Sequence, residues 1–382
     1  MPTYDAIVLG LGGMGSASAY HLARRGQRVL GLDAFPPGHA NGASHGHSRI
    51  IREAYYEAPE YVPLVQRAYA LWRALEETSG RALLRITGGI NAGAPDSRVV
   101  TGVVASARRH GLAYELLSAA ETAARFPGFR LGDELVAVYQ PNSGILDPEA
   151  CVRAHLDGAA GAGAELRFAE PVRRWAPDGE GVTVRTDAAT YRAGRLVITA
   201  GPWAAEQLDL AARWLTVRRI VNVHFRSERP DRFGVDRFPV FGLVVPEGQY
   251  YGVPDVPGQG LKLGRHDGGE VCTAGSVRRE VDPEEVASLR AVLDRYLPGA
   301  AGEVLSTLTC LYTMSPDGHF VLDRYPGHPQ VVYGCGFSGH GFKFCSVIGE
   351  TLADLAVDGR TERPVGFLAA GRLAAAPAAT TG

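Results

Sequence analysis

Hydrophobic positions along this chain fall into two kinds of block. Residues 4–9 are an apolar run of strand length, residues 14–25 carry a helical pattern, and residues 28–32 are a second apolar run, which together predict a βαβ unit. Leu64, Leu71 and Leu75 share one helical face and predict a helix over 60–77. Asp147 stands before Pro148 as an N-cap and predicts a helix over 148–158. Asp282, Pro283 and Glu285 repeat that signature, with the aspartate placed to accept the third helical amide and the glutamate to reach back. Strand-like runs recur at 135–140, 195–199, 216–225, 260–264, 320–323 and 331–335. The order is α/β in the first half and at the end, with a β-rich middle, so a two-domain α/β (α+β) architecture is expected. The expected division is a discontinuous nucleotide-binding domain over 1–82, 142–213 and 306–372 and a second domain over 83–141 and 214–305. The Ala-rich end, residues 373–382, is expected to fray.

Composition then removes whole classes of partner. The 382 residues are 46% hydrophobic and 21% charged, the balance of a globular protein with enough chain for two cores. Thirty-nine basic and 41 acidic side chains leave a formal charge of −2, which gives no chain-wide field for nucleic acid or an anionic membrane. No apolar run reaches the roughly 18 residues of a membrane span, and no signal-peptide pattern precedes the first strand, so a cytoplasmic location is expected. Five scattered cysteines without a Cys-x-x-Cys pair argue against a disulfide framework or a thiolate zinc site. His45 and His47 would point to opposite faces of an extended chain, and no metal is expected there.

Gly10-Leu11-Gly12-Gly13-Met14-Gly15 follows the first strand and opens the first helix, the context that gives a Gly-x-Gly-x-x-Gly match its meaning. Gly10 is expected to make the tight turn, Gly12 to let a pyrophosphate approach the backbone, and Gly15 to let helix and strand pack closely. Amides at the helix start, around Gly13 and Met14, then face the phosphates. Asp33, followed by Ala34 at the end of the second strand, can accept hydrogen bonds from a ribose hydroxyl and would repel the 2′-phosphate of NADP. The fingerprint alone leaves NAD and FAD open.

Other motifs lie far from it: Asn41-Gly42-Ala43-Ser44-His45-Gly46-His47-Ser48-Arg49-Ile50-Ile51-Arg52, Gly260-Leu261-Lys262-Leu263-Gly264, Cys310-Leu311-Tyr312-Thr313 and Gly336-Phe337-Ser338-Gly339-His340-Gly341-Phe342-Lys343. In order and spacing these resemble the monomeric sarcosine oxidase and N-methyltryptophan oxidase family, over nearly the whole chain. The resemblance implies a glutathione-reductase-like FAD domain, a second domain with a mostly antiparallel sheet, and oxidation of N-methyl or cyclic amino acids with production of hydrogen peroxide. It implies FAD joined to the protein by a thioether at Cys310, a bond that needs a thiolate nucleophile.

The same resemblance assigns the remaining candidates. Ser44, His45, Ser48, Arg49 and Ile50 would contact the flavin, with Arg49 against its face. His47 and Ser48 depart from an acidic residue and a threonine in the family pattern. Arg52 and Lys343 would hold the substrate carboxylate, the arginine through its planar fork and the lysine as a point charge. Lys262 would lie over flavin N5 and stabilise charge that develops as O2 is reduced. His266 and Tyr251 would face the substrate amine. Gly339, His340 and Gly341 would turn amides toward the flavin pyrimidine, Gly201 and Trp203 would supply a second cofactor contact, and Val172 would sit near the adenine. Gly242 stands where similar oxidases carry a bulkier side chain, which implies a roomier pocket for larger N-methyl amino acids or cyclic imino acids such as proline or pipecolate.

The expected reaction is hydride transfer from the substrate carbon to flavin, followed by reduction of O2 to hydrogen peroxide, in a monomer. Two alternatives stand beside it. An amine dehydrogenase would pass electrons to an acceptor other than oxygen, and Lys262 argues against that. A non-catalytic FAD-binding protein would need no convergence of Arg52, Lys343 and Lys262.

Overall fold

The computed structural model describes residues 3–373; residues 374–382, and with them most of the expected frayed tail, lie outside the described residues. The chain is docked as far as Leu373: the turn Ala370–Leu373 buries that leucine, and the Ala370 amide donates to Asp323 at 2.8 Å.

Thr3–Leu9 forms the centre of the first sheet because its neighbours cover it on both faces, and Ile7 and Val8 are wholly buried. Five parallel strands run in the order Glu165–Arg167, Val29–Leu32, Thr3–Leu9, Thr190–Ile198 and His328–Cys335, with Val321–Tyr325 antiparallel at the edge. Thr190–Ile198 changes partner along one side. Residues 190–193 pair with the hairpin Val172–Asp178 and Gly181–Thr186, and residues 196–198 pair with His328–Cys335. The helix Gly13–Arg24 crosses Cys345–Val357 at very short range, since a Cβ on Gly349 would lie 2.4 Å from Ala17 Cβ.

A second sheet stands over the first. Its order is Val304–Met314, Thr216–Phe225, Gly260–Arg265, Gly248–Val256, Val240–Val245, Gly89–Gly93, Val136–Gln140 and Glu115–Ser118, with Glu270–Cys272 extending the third position. Every pairing is antiparallel except Val240–Val245 with Gly89–Gly93, so the sheet is mostly antiparallel. Side chains alternate between its faces. Phe225, Phe241, Leu261 and Leu263 pack into an apolar core with Leu293 of the helix Pro283–Tyr296. Asn222, Tyr251, Lys262 and Cys310 occupy the other face, toward the first sheet. The expected boundary at residue 306 falls inside the strand Val304–Met314, which pairs along its length with Thr216–Phe225 and belongs with the second sheet.

Several local expectations shift. The helix expected over 60–77 begins as the 3-10 turn Pro59–Tyr61 and continues as Val62–Ser79, where Gly80 stops it with φ of 66°. Asp147 caps the Ala150 amide at 2.9 Å, and that helix runs to Gly161. Asp282 and Glu285 form the reciprocal capping box. The helix Arg98–His110, capped by Ser97, and the strand Gly248–Val256 had no counterpart in the pattern reading. Among the described residues no helix is long and apolar enough to cross a membrane.

Candidate active site

A cavity of about 770 Å³ lies between the two sheets. Its lining includes Gly10, Gly12, Gly13, Met14, Asp33, Ala34, Val172, Gly201 and Trp203 at the fingerprint end. Farther along, Ser44, Ser48, Arg49, Ile50, Lys262 and Cys310 form the middle, with Arg52, Gly242, Tyr251, His266, Gly339, His340, Gly341 and Lys343 beyond. Gly15 and His45 do not line it. Gly15 packs the helix on the strand, and a Cβ there would sit 1.7 Å from the Gly10 carbonyl oxygen. His45 lies behind the wall, with Nε2 3.2 Å from Thr309 O and Nδ1 buried without a partner among the described residues.

At the fingerprint end the turn takes a shape that glycine alone adopts easily. Gly10 has φ of 84°, and a Cβ there would lie 2.7 Å from Thr199 O. Asp33 locks the turn: Leu11 N donates to its Oδ2 at 2.7 Å and Phe35 N to its Oδ1 at 2.9 Å. The carboxylate therefore already holds two backbone amides, and its remaining lone pairs face the cavity. Ser44 Oγ accepts the Gly13 amide at 2.9 Å.

The middle of the cavity is built by a loop that turns sharply. His47 and Gly46 have φ of 65° and 104°, so the segment is not extended as expected. Glu149 accepts the Gly46 amide at 2.7 Å and braces this turn. The turn brings Gly46 O and Ser48 O together, each 3.0 Å from Lys262 Nζ. Lys262 is only 3% exposed, its side chain turned into the cavity rather than toward solvent. Burial first, then the Arg49 charge, bring its ammonium from 10.5 down to about 7. Arg49 Nη2 reaches Ala43 O at 3.0 Å, His45 O at 2.5 Å and Cys310 Sγ at 3.6 Å, so a fixed cation faces the thiol.

At the far end Arg52 has a partner the sequence reading did not foresee. Glu57 accepts Nη2 through both oxygens at 2.6 and 2.8 Å, and the guanidinium stacks over Tyr55 and Tyr56. Burial alone would raise the Glu57 carboxyl, but Arg52 outweighs it and holds the group at about 2. Lys343 Nζ donates to His340 O at 2.8 Å and to the Tyr55 hydroxyl at 3.3 Å, leaving one ammonium proton free. Burial, then the Arg52 charge, lower it to about 7. His340 Nε2 lies 2.9 Å from Gly318 O, a pure acceptor, so Nε2 carries the proton and Nδ1 accepts from Tyr55 at 2.8 Å. Tyr251 donates to Asn222 Oδ1 at 2.6 Å, and His266 Nδ1 stands 3.4 Å from the Tyr312 hydroxyl. Burial pushes His266 below its usual range, which keeps it neutral.

Glu57, Tyr55, Asn222, Asn91 and Glu149 were not singled out by the sequence reading. Glu57 carried one usable signal, a carboxylate five residues beyond a candidate arginine; Asn222 and Asn91 depend on register between distant strands, Tyr55 on the path of a loop and Glu149 on where the helix Pro148–Gly161 begins. The space beside Gly242 is also not empty, because a Cβ there would lie 2.8 Å from Asn91 Oδ1.

The FAD dependent oxidoreductase family model matches residues 5–355, which span both sheets and the cavity. The chain belongs to the FAD dependent oxidoreductase family. This FAD dependent oxidoreductase is 45% identical to a monomeric sarcosine oxidase of Streptomyces avermitilis, over 99% of this chain and 100% of that protein. It is 36% identical to an N-methyl-L-tryptophan oxidase of Salmonella arizonae, covering 93% and 95% of the two chains. NikD, described as an unusual amino acid oxidase, shares its fold with a TM-score of 0.86 at 29% identity, covering 97% and 98%. The residues present fit FAD: a cavity long enough to join the two sheets has glycine-lined amides and a carboxylate at one end and a cationic middle. Among the described residues no group of three or more His, Cys, Asp or Glu is arranged to hold a metal.

Proposed function

We propose that this chain is an FAD-dependent oxidase of the C–N bond in small secondary amino acids, that it returns the electrons to O2 as hydrogen peroxide, and that its flavin is tethered through Cys310. One observation carries the reading: a single cavity holds the nucleotide fingerprint at one end and, beyond a cationic middle, gathers Arg52, Lys343, Tyr251 and His266 at the other. Relatives named sarcosine oxidase and N-methyl-L-tryptophan oxidase support it. Bound FAD supplies the acceptor for the electron pair leaving the carbon beside nitrogen and the donor that reduces O2.

The chain's own residues do the rest. The free donors of Arg52 and the third proton of Lys343 can grip a carboxylate, and an incoming anion favours the charged form of Lys343. Neutral His266 can accept a proton or hydrogen bond from the substrate nitrogen, and Tyr251, fixed by Asn222, limits how that nitrogen turns. The ammonium of Lys262, aimed by Gly46 O and Ser48 O, is a preorganised positive charge for oxygen reduction. Arg49 Nη2 stands 3.6 Å from Cys310 Sγ, the sulfur from which the thioether would form. Water hydrolyses the product imine to an amine and a carbonyl compound when the substrate is linear. The 45%-identical relative, named as monomeric, supports a single chain as the working unit.

The test takes purified enzyme and a panel of sarcosine, larger N-methyl amino acids, proline and pipecolate. The expected result is anaerobic bleaching of the flavin by at least one member and peroxide under air. Bleaching without peroxide would make the chain a dehydrogenase, and no bleaching by any member would end the reading. Acid precipitation tests the tether: colour should stay with the parent protein and leave Cys310→Ala.

A further inference from the structure

The cavity-facing side of the second sheet carries a row in direct register across five strands: Asn91, Gly242, Tyr251, Gly264 and Asn222. Residues opposed in this way project from one face and touch their neighbours. Polar side chains alternate with glycines, and each glycine makes room for a side chain beside it. A Cβ at Gly264 would lie 2.6 Å from Asn222 Oδ1 and 2.7 Å from the Tyr251 hydroxyl. That gap lets the Tyr251–Asn222 hydrogen bond cross over the strand.

The same device recurs at Gly242, over which Asn91 Oδ1 leans at 2.8 Å from where a Cβ would stand. Here nothing completes the pair, because Tyr251 has turned toward Asn222. Asn91 is only 7% exposed and lines the cavity, yet its carboxamide has no hydrogen-bond partner among the described residues. The carboxamide is open to the cavity, where a bound ligand can replace water as its hydrogen-bond partner. It offers donors and an acceptor without charge. At the same end Arg52 is paired with Glu57.

We infer that Asn91 is a specificity-determining residue: its carboxamide, lodged over Gly242, hydrogen-bonds a neutral polar substituent, a hydroxyl or a carboxamide, on the side chain or ring of the substrate. This rests on the amino acid oxidase reading and narrows its substrate class. The occupant is a secondary amino acid with a polar neutral substituent rather than an aliphatic one.

The experiment is anaerobic stopped-flow reduction of the flavin-loaded enzyme with matched pairs: N-methylasparagine against N-methylleucine, and 4-hydroxyproline against proline. The polar member is expected to win by roughly 10-fold or more in at least one pair, since a site built around a hydrogen bond rejects the analogue that lacks it. Saturation of the rate should place the difference mainly in the dissociation constant. Asn91→Leu, which keeps the branched heavy-atom skeleton but loses the amide, should reduce that preference to about 2-fold or less by the same argument. Asn91→Ser, whose hydroxyl is too short to reach, serves as the second variant and should weaken the preference in the same direction. Equal use of both members by the parent enzyme, or a preference that survives in both variants, overturns the inference and leaves the oxidase reading intact. Failure of every pair to bleach the flavin while sarcosine or pipecolate does so overturns the inference alone; failure of these as well overturns both.

Discussion

Glu57→Gln perturbs the buried pair that occupies Arg52. Two routes give the size of the effect. A carboxyl held at about 2 against an ordinary 4.5 is stabilised in the folded state by about 3 kcal/mol. Removing one partner of a buried ion pair independently costs ~3–5 kcal/mol. The depressed value means that this stability is fully present above pH 4.5 and is lost as pH falls toward 2. The holoenzyme variant should therefore have a clearly lower urea midpoint at pH 7, and the gap from the parent should shrink to about 1.4 kcal/mol at pH 3. The variant also leaves Arg52 without its anion, so a substrate carboxylate gains a partner. If the ligand recovers half the loss, its dissociation constant falls roughly 10-fold. Anaerobic titration of the flavin spectrum with substrate measures that constant. A variant as stable as the parent at pH 7, or one that binds substrate no more tightly, would refute the reasoning.

Two further perturbations test other parts of the site. Lys262→Met should slow the oxygen-dependent half of turnover by about 10²–10³-fold while leaving anaerobic reduction within a few-fold. Because the folded ammonium loses its proton at about 7, the parent's oxygen rate should fall as pH rises through that value and the variant's should stay flat; a pH-dependent variant would count against the lysine. Gly15→Ala puts a methyl group 1.7 Å from the Gly10 oxygen, and less than roughly a tenth of the parent's flavin should remain per protein; a soluble, fully yellow variant would contradict the packing argument.

What could be read before the structure was chemistry carried by neighbours in sequence. The glycine-rich turn was legible because a tight turn, a close approach and Asp33 all act within the N-terminal βαβ unit. The alternation at 260–264 offered Lys262 two faces, and only its pairing opposite His224 and Val253 sets which one it takes. Arg52 and Glu57 meet through backbone with no period to betray it. The extended backbone assumed for His45 and His47 is not what forms: positive φ at Gly46 and His47 turns the segment instead. Asn91 stayed invisible for a different reason: its place beside Gly242 depends on a parallel pairing of strands some 150 residues apart in the chain.

The strand Val304–Met314 carries Cys310 on one sheet while the glycine turn belongs to the other. If Cys310 sulfur is joined to the isoalloxazine as proposed, the dinucleotide would rivet both layers together. Hinge-like gaping between them would then strain a carbon–sulfur bond or strip phosphates from their amides. Under that proposal amino acid traffic would proceed by small local exchanges at the rim, such as Arg52 releasing Glu57 to take an incoming carboxylate.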